Sequence, residues 1–294
     1  MTSSNDPLGL TVAVATCPNE LRATARVAIV GEAPRREEVD NGLPFIGGSG
    51  RLMWAILGNA GISRSACSVL NVSQTRPVDN DFQSLDWAGP EVQSGLAAVR
   101  DALAVQRPNV VLVLGNAALC AAKGGTPVRK GKAIHWPWSI MDWTGSLFWS
   151  PVWNCKCLAC VHPASILRQY QLLLYLRVAA TRLAAEARSA ELKLAKYHLA
   201  TEPNLDSILS HLYNLTSRCD APGACVKVAL DIEGGLGTLS CISFAIDGER
   251  AFIVPLTRAD GTSLWSLEEE VQVWRALAAV VSNPRIPKVL QNYL

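Results

Sequence analysis

No apolar run in this chain approaches the roughly 20 residues a membrane-spanning helix requires. Leu172–Val178 is interrupted by Arg177 and passes into a charged, Ala-rich pattern, which suits a helix in water. The start, Met1–Leu10, lacks a basic leader followed by an apolar stretch, so secretion is not expected. Charge of one sign is scarce as well: 27 Lys and Arg against 25 Asp and Glu leave +2, too little to demand a nucleic-acid partner. Nor is there a disulfide framework. The nine cysteines are odd in number and mostly scattered, and read as reduced thiols in a cytoplasmic compartment. With 49% hydrophobic and only 18% charged residues the chain is not disordered, and 294 residues can bury one large core or two ordinary ones.

What charge there is lies unevenly. Residues 221–294 hold 6 basic and 8 acidic side chains, net −2, which leaves +4 for residues 1–220. The first part is suited to a polyanion and the last part to cations. Val27–Val30, an apolar run ending at Gly31, reads as a buried parallel strand feeding a loop, and Ser68–Val72 as another. Arg51–Leu57 and Glu91–Val105 have helical period. Val110–Leu114 runs into Gly115-Asn116-Ala117-Ala118, a strand-to-helix transition. Such alternation predicts a layered α/β sheet with covered faces. Residues 130–161 gather five tryptophans among Pro and Gly and read as an extended pair or long loop. From His162 a helix opens and continues, with breaks, toward Leu199. The expected divisions are a domain over 1–199, a linker with a short helix over 200–224 marked by Asp220-Ala221-Pro222-Gly223, and a second domain over 225–294. That last part shows three strands in hairpin order, a helix over Ser266–Val281, and a strand start at Lys288–Leu290.

Five motifs stand in order: Gly31-Glu32-Ala33-Pro34; Gly42 to Gly50 with Phe45; Asn71-Val72; Arg76-Pro77; and His162-Pro163-Ala164-Ser165-Ile166-Leu167-Arg168. Together they resemble the uracil-DNA glycosylase superfamily, nearest its iron–sulfur bacterial and archaeal branch, over about residues 26–170. The resemblance implies a three-layer α/β/α domain that binds DNA and cleaves the bond between deoxyribose and uracil, a reaction needing no cofactor. It implies that Phe45 stacks on the uracil face, Asn71 pairs with its edge, and His162 donates toward O2 as negative charge develops. Glu32, with Glu37 as a second candidate, would position water or meet the sugar. Gly31, Ala33 and Pro34 would shape the turn, the backbone of Gly47 and Ser49 would hold phosphate, and Arg168 would contact phosphate. The amide of Asn71 offers one acceptor and one donor, matching uracil N3–H and O4 and mismatching cytosine. Arg35 and Arg36 follow Pro34 where the family has Gly. If that position needs a positive φ, arginine is strained there; otherwise the pair is an added phosphate clamp.

Cys155-x-Cys157-x-x-Cys160-x-His162 offers thiolates and an imidazole to zinc or to an iron–sulfur cluster, with or without Cys17; buried thiols without a metal are the alternative. The family branch has an early Cys-x-x-Cys, where this chain has Cys17 alone, and no cysteine lies between Cys67 and Cys120.

In Val228-Ala229-Leu230-Asp231-Ile232-Glu233-Gly234, two carboxylates at i and i+2 share one face of a strand and can approach a divalent cation. The pattern resembles the first motif of DnaQ-like 3′–5′ exonucleases, and Gln291-Asn292-Tyr293-Leu294 the start of the second. It implies an incomplete, inactive ribonuclease H-like α/β exonuclease domain whose complete site would use Mg2+ or Mn2+. The order of the two resemblances suggests a fragment of a phage-type DNA polymerase, in bacterial or phage-infected host cytoplasm, with DNA and replication proteins as partners and no membrane. The alternative is a non-catalytic DNA-binding or replisome-interaction module.

Overall fold

The computed structural model describes residues 4–5, 11–12, 15–131, 133–193, 198–201, 204–220, 227–235 and 238–290. The chain divides into two units, residues 1–193 and 194–294, each with its own core. Among the described residues no helix is long and apolar enough to cross a membrane.

In the first unit a short antiparallel pair, β1 (Ser4–Asn5) and β2 (Thr11–Val12), precedes the main sheet. That sheet comprises β3 (Val27–Gly31), β4 (Cys67–Asn71) and β5 (Val110–Leu114), and beyond a hairpin of β6 (Val128–Lys130) and β7 (Ala133–His135) it adds β8 (Leu147–Ser150) and β9 (Cys155–Cys160). Its order is β4-β3-β5-β9-β8, parallel except for β8. Among the described residues seven α-helices accompany it: α1 (Arg36–Asn41), α2 (Gly48–Asn59), α3 (Pro90–Gln106), α4 (Gly115–Lys123), α5 (Ile140–Trp143), α6 (Pro163–Ile166) and α7 (Leu173–Glu186).

The apolar runs Val-Ala-Ile-Val and Val-Val-Leu-Val-Leu have no polar alternation because both faces of the sheet are covered. Val27, Ile29 and Leu112 pack on Met53 and Leu57 of α2 and Leu176 of α7. Ala28, Val30, Val111 and Val113 point the other way, onto Val99 of α3 and Leu119 of α4. Met53 and Leu57 are wholly buried, and each such side chain contributes about 2 kcal/mol.

One charge sits inside this packing. Lys156 on β9 is 1% exposed, and its ammonium donates to Glu186 Oε2 at 2.5 Å and to the carbonyls of Glu186, Ser189 and Glu191 at 3.1, 2.7 and 3.1 Å. It thereby gathers carbonyls from the end of α7 and the turn that follows it, and ties that end to the sheet.

Several expected boundaries move. Helix α2 begins at Gly48, so the glycine-rich segment forms its first turn. The tryptophan-rich stretch resolves into β6, β7, α5, β8 and β9 rather than one extended pair. The helix expected to reach Leu199 ends at Glu186.

The second unit holds β10 (His198–Ala200), α8 (Leu205–Asp220), β11 (Val228–Gly235), β12 (Thr238–Ala245), β13 (Arg250–Pro255), α9 (Leu267–Val281) and β14 (Lys288–Leu290). The sheet order is β10-β13-β12-β11-β14; β11, β12 and β13 form an antiparallel meander, while β14 lies parallel to β11 and β10 parallel to β13. Ser266 caps α9 reciprocally with Glu269, as the Ser-x-x-Glu spacing dictates. Ile208, Leu212 and Leu215 of α8 pack with Val273 and Leu277 of α9 on Ile242, Phe244 and Phe252. Two divisions expected from sequence are corrected here. His198 and Leu199 pair with β13 and so belong to the second unit, because a strand must complete its ladder. The helix assigned to a linker is a core element, since its apolar face is buried. Residues 221–223 of the expected turn, and Gln291–Leu294, lie outside the described residues.

Candidate active site

Gly31, Asn71, Gly115 and His162 stand at or just beyond the C-terminal ends of β3, β4, β5 and β9, where a parallel sheet releases its chain into loops. A Cβ on Gly31 would come within 2.7 Å of Asn71 Oδ1 and closer still to the Phe45 ring. Glycine at this point is what lets ring and amide meet.

Phe45 adopts a left-handed backbone, φ 56°, unusual for a residue with a side chain and costing about 1–3 kcal/mol. Its carbonyl accepts from Trp54 Nε1 at 3.2 Å and Arg64 Nη1 at 3.3 Å, while Arg64 Nη2 donates to Pro44 O at 2.7 Å. Arg64 is itself fixed by Glu20 at 2.5 Å and stacks 5.2 Å over the Trp54 ring. The Phe45 ring lies 5.9 Å from that of His162, tilted by 34°.

A cleft of about 480 Å³ opens beside these residues, lined by Glu32, Ala33, Pro34, Arg35, Gly115, His162 and Arg168 among others. Gly115 has φ 87°, and a Cβ there would stand 2.7 Å from Glu32 Oε1 and 3.2 Å from His162 Cβ. Burial raises the Glu32 carboxyl above its ordinary range, against the pull of the Ala117 N–H, Arg168, Arg35 and the Asn116 N–H. His162 moves the other way: burial, then Arg35 and Arg168, push it down to about 4. The ring is therefore neutral at pH 7. Its Nδ1 accepts the Ala164 N–H at 3.2 Å, so Nε2 carries the hydrogen and is free to donate.

Of the other residues singled out in the sequence, Asn71 and Phe45 are 3% and 4% exposed and do not line the cleft; they lie beneath Gly31. Arg35 has φ −103°, ordinary extended backbone, so the strain considered for a positive-φ site does not arise, and its side chain is on the cleft. Arg36 turns outward to Asp40 at 3.6 Å. Glu37 is not on the cleft but pairs with Arg51 at 2.9 Å, which corrects its candidacy for water positioning. Gly47 and Ser49 occupy the cap and first turn of α2, where Gly48 approaches Leu167. The first N–H groups of that helix have no intrahelical acceptor.

The metal reading of the cysteines is corrected by strand geometry. Cys155 and Cys157 pack on the α3 and α4 face of β9 while Cys160 packs on the α2 and α7 face, as a period of two requires. Cys17 lies on the outer side of β4, with its N–H on Gln74 O at 2.9 Å, four strand positions from β9 and so about 19 Å away. Among the described residues no three Cys, His, Asp or Glu side chains could hold one metal ion, so Cys155, Cys157 and Cys160 do not form a shared zinc or cluster site. Burial also pushes Cys160 up to about 12, keeping it a thiol.

Asp231 and Glu233 do share a strand face, opposite Ser243 and Cys241 of β12 and, by alternation, away from Ile242 and Phe244, which meet the helices. Both are exposed, and no third ligand joins them among the described residues. The two carboxylates alone do not make a divalent-ion site.

Sequence reasoning missed the amides of Asn116 and Ala117 facing Glu32, and the cleft wall of Phe82, Gln83, Ile134 and Trp136. The strand-to-helix switch at Gly115 was a readable signal for the first; the wall comes from loops whose pairing no local pattern reveals.

The sequence profile of the uracil DNA glycosylase superfamily matches residues 18–185. The type-4 uracil-DNA glycosylase of Thermotoga maritima is 31% identical over 144 residues, covering 49% of this chain and 67% of that protein. Those of Archaeoglobus fulgidus and Pyrobaculum aerophilum are 33% identical over 156 residues and 27% over 154, covering 50% and 52% of this chain and 70% and 73% of theirs. With a profile match across more than half its length, at a sheet edge built as described, the chain belongs to the uracil-DNA glycosylase superfamily.

Proposed function

We propose that the first unit recognises uracil in DNA and hydrolyses its N-glycosidic bond. The observation that carries this reading is the half-buried, neutral His162, which lines a cleft together with Glu32 and whose Nδ1 accepts from Ala164, leaving the hydrogen on Nε2. When the bond from C1′ to N1 breaks, the electron pair leaves with the base and spreads onto its ring oxygens. A neutral donor stabilises that anion without first competing for a proton. Water then adds to the cationic C1′. Glu32 would hold that water, and the oxygen sheds its proton to solvent. Phe45 would stack on the base and Asn71 would pair with its edge. Both are buried, so binding of the base would have to uncover them. Gly47, Ser49 and Arg168 would take flanking phosphates.

The direct test is release of free uracil from a uracil-containing oligonucleotide, followed by chromatography, with no metal added. Release by the parent chain, and release slower by about 100- to 1000-fold by His162→Ala, supports the assignment. DNA binding without release by the parent chain selects the non-catalytic module instead.

For the second unit we infer the opening half of a ribonuclease H-like exonuclease fold. Its support is the meander β13-β12-β11 with β14 returning parallel to β11 after α9. A place within a phage-type polymerase, with replication proteins as partners, rests on the order of the two sequence resemblances alone.

A further inference from the structure

The cleft has a wall that catalysis as described leaves unused. Phe82, in a 3-10 turn over Phe82–Ser84, and Trp136, just after β7, both line it and both are half-buried. Their rings lie 6.1 Å apart at 42°, and Trp87 meets Trp136 edge-on at 5.6 Å and 82°. Phe82 and Trp87 pack against the core under α3 and α4, whereas Trp136 is in neither core cluster of the first unit. An aromatic residue serving only stability would be expected to join one.

The wall is also fastened from behind. Arg129 of β6 donates to the carbonyls of Gln83 and Leu85 at 2.9 and 2.7 Å, and the Ile134 N–H donates to Gln83 Oε1 at 3.3 Å. The loop leading into the turn passes through Asp79 and Asn80 at φ 53° and 57°, two consecutive left-handed residues with side chains. Arg76 Nε holds Asn80 Oδ1 at 3.1 Å. Strain kept in place beside a cleft, supporting an aromatic face that the core does not use, calls for a ligand with a flat face. Arg35 and Arg168 on the same cleft call for an anionic one.

We propose that Trp136, braced by Phe82 and Trp87, is a stacking platform for the base neighbouring the one in the catalytic cavity, and that it selects single-stranded DNA. This rests on the glycosylase reading for the identity of the polymer. Every base offers a π face, so a platform of this kind is indifferent to sequence. In a single strand that face is available. In a duplex the neighbouring base is held by its pairing partner and by the base on its other side, so it does not turn out onto the platform. Arg35 and Arg168 supply the phosphate contacts, which are common to both forms.

The experiment uses the full chain and labelled uracil-free oligonucleotides, single-stranded and duplex, followed by fluorescence anisotropy. Trp136→Ala should weaken single-strand binding about tenfold, Trp136→Phe about twofold or less, and neither should change duplex binding. The dependence of affinity on salt should keep its slope, because no phosphate contact is removed. On a uracil-containing single strand the same loss should fall on KM and leave kcat unchanged. Replacing single nucleotides by base-free ones should identify one position whose missing base weakens the parent about tenfold and leaves Trp136→Ala unaffected, the signature of a shared contact. Phe82→Ala, which removes a brace and leaves Trp136 in place, should show part of the same single-strand loss and decides the matter if Trp136→Ala does not fold by thermal melting. Equal losses on duplex and single strand, or a base-free scan with no such position, overturn the proposal. A parent that releases no uracil but shows the single-strand loss and the base-free position keeps the platform and rejects the glycosylase reading.

Discussion

The two five-stranded sheets solve burial differently. In residues 1–193 a parallel sheet is covered by helices on both faces, so polar chemistry is driven to the ends of its strands. In the second unit α8 and α9 share one core with one face of an antiparallel meander, and the opposite face keeps Asp231, Ser243 and Glu233. A covered sheet concentrates function at an edge, where loops can be shaped around it. A half-covered sheet spreads polar groups over a surface, where they need further partners to act together.

Five experiments bear on that contrast. The largest effect is expected inside the covered sheet. Lys156→Met leaves the Glu186 carboxylate and three carbonyls without their donor and should cost about 3 kcal/mol, read as an earlier urea transition of the first unit with the second unit's unchanged. A shift of both transitions together would show that the units do not unfold separately. At the strand ends, His162→Ala should lower uracil release by about 100- to 1000-fold while leaving the fold intact by circular dichroism. Gly31→Ala should cost about 1–3 kcal/mol and impair release, since its methyl collides with Phe45 and Asn71; unchanged kinetics would mean that their approach is incidental.

The fourth effect is a pH dependence. His162 titrates in the fold near 4, below its ordinary value of 6.5, so the unfolded chain takes up its proton first as pH falls. Its contribution to stability is present above about 6.5 and is lost as pH falls toward 4, a slope that His162→Ala should remove. Release should stay level through pH 6.5, and an inflection there, abolished by replacing His162, would contradict the neutral donor. Glu32, shifted upward, works against this slope just above its ordinary range, because its contribution is present at lower pH and lost as pH rises. The smallest effect is expected on the half-covered sheet: Asp231→Asn with Glu233→Gln should leave both uracil release and stability within about 0.5 kcal/mol of the parent.

How far the sequence could be read follows from the same contrast. Val27–Val30 and Val110–Leu114 were legible because a strand buried on both faces needs an unbroken apolar run, and His162 through the resemblance of His162–Arg168 to the glycosylase family's motif. The hairpin of β6 and β7 was not, since strands of three residues, nearly all exposed, carry no period, and its anchor through Arg129 to Gln83 joins segments far apart in sequence. The cysteines misled through linear spacing. Once Cys155–Cys160 is seen as a strand, the separation of Cys157 from Cys160 by an odd number of residues already sends them to opposite faces. Asn71 and Phe45 were found by motif, but their depth was not, because it depends on the missing side chain at Gly31.

The position of Glu32 reaches beyond its own protonation. The start of a helix ordinarily greets incoming anions, yet here the head of α4 is already turned toward a carboxylate of the same chain. Whatever negative ligand occupies the neighbouring space must be attracted by guanidinium groups and imidazole N–H rather than by helix amides. The sign of the local field is thus adjustable: each proton gained by Glu32 hands those amides back and makes the chamber more welcoming to a departing anion.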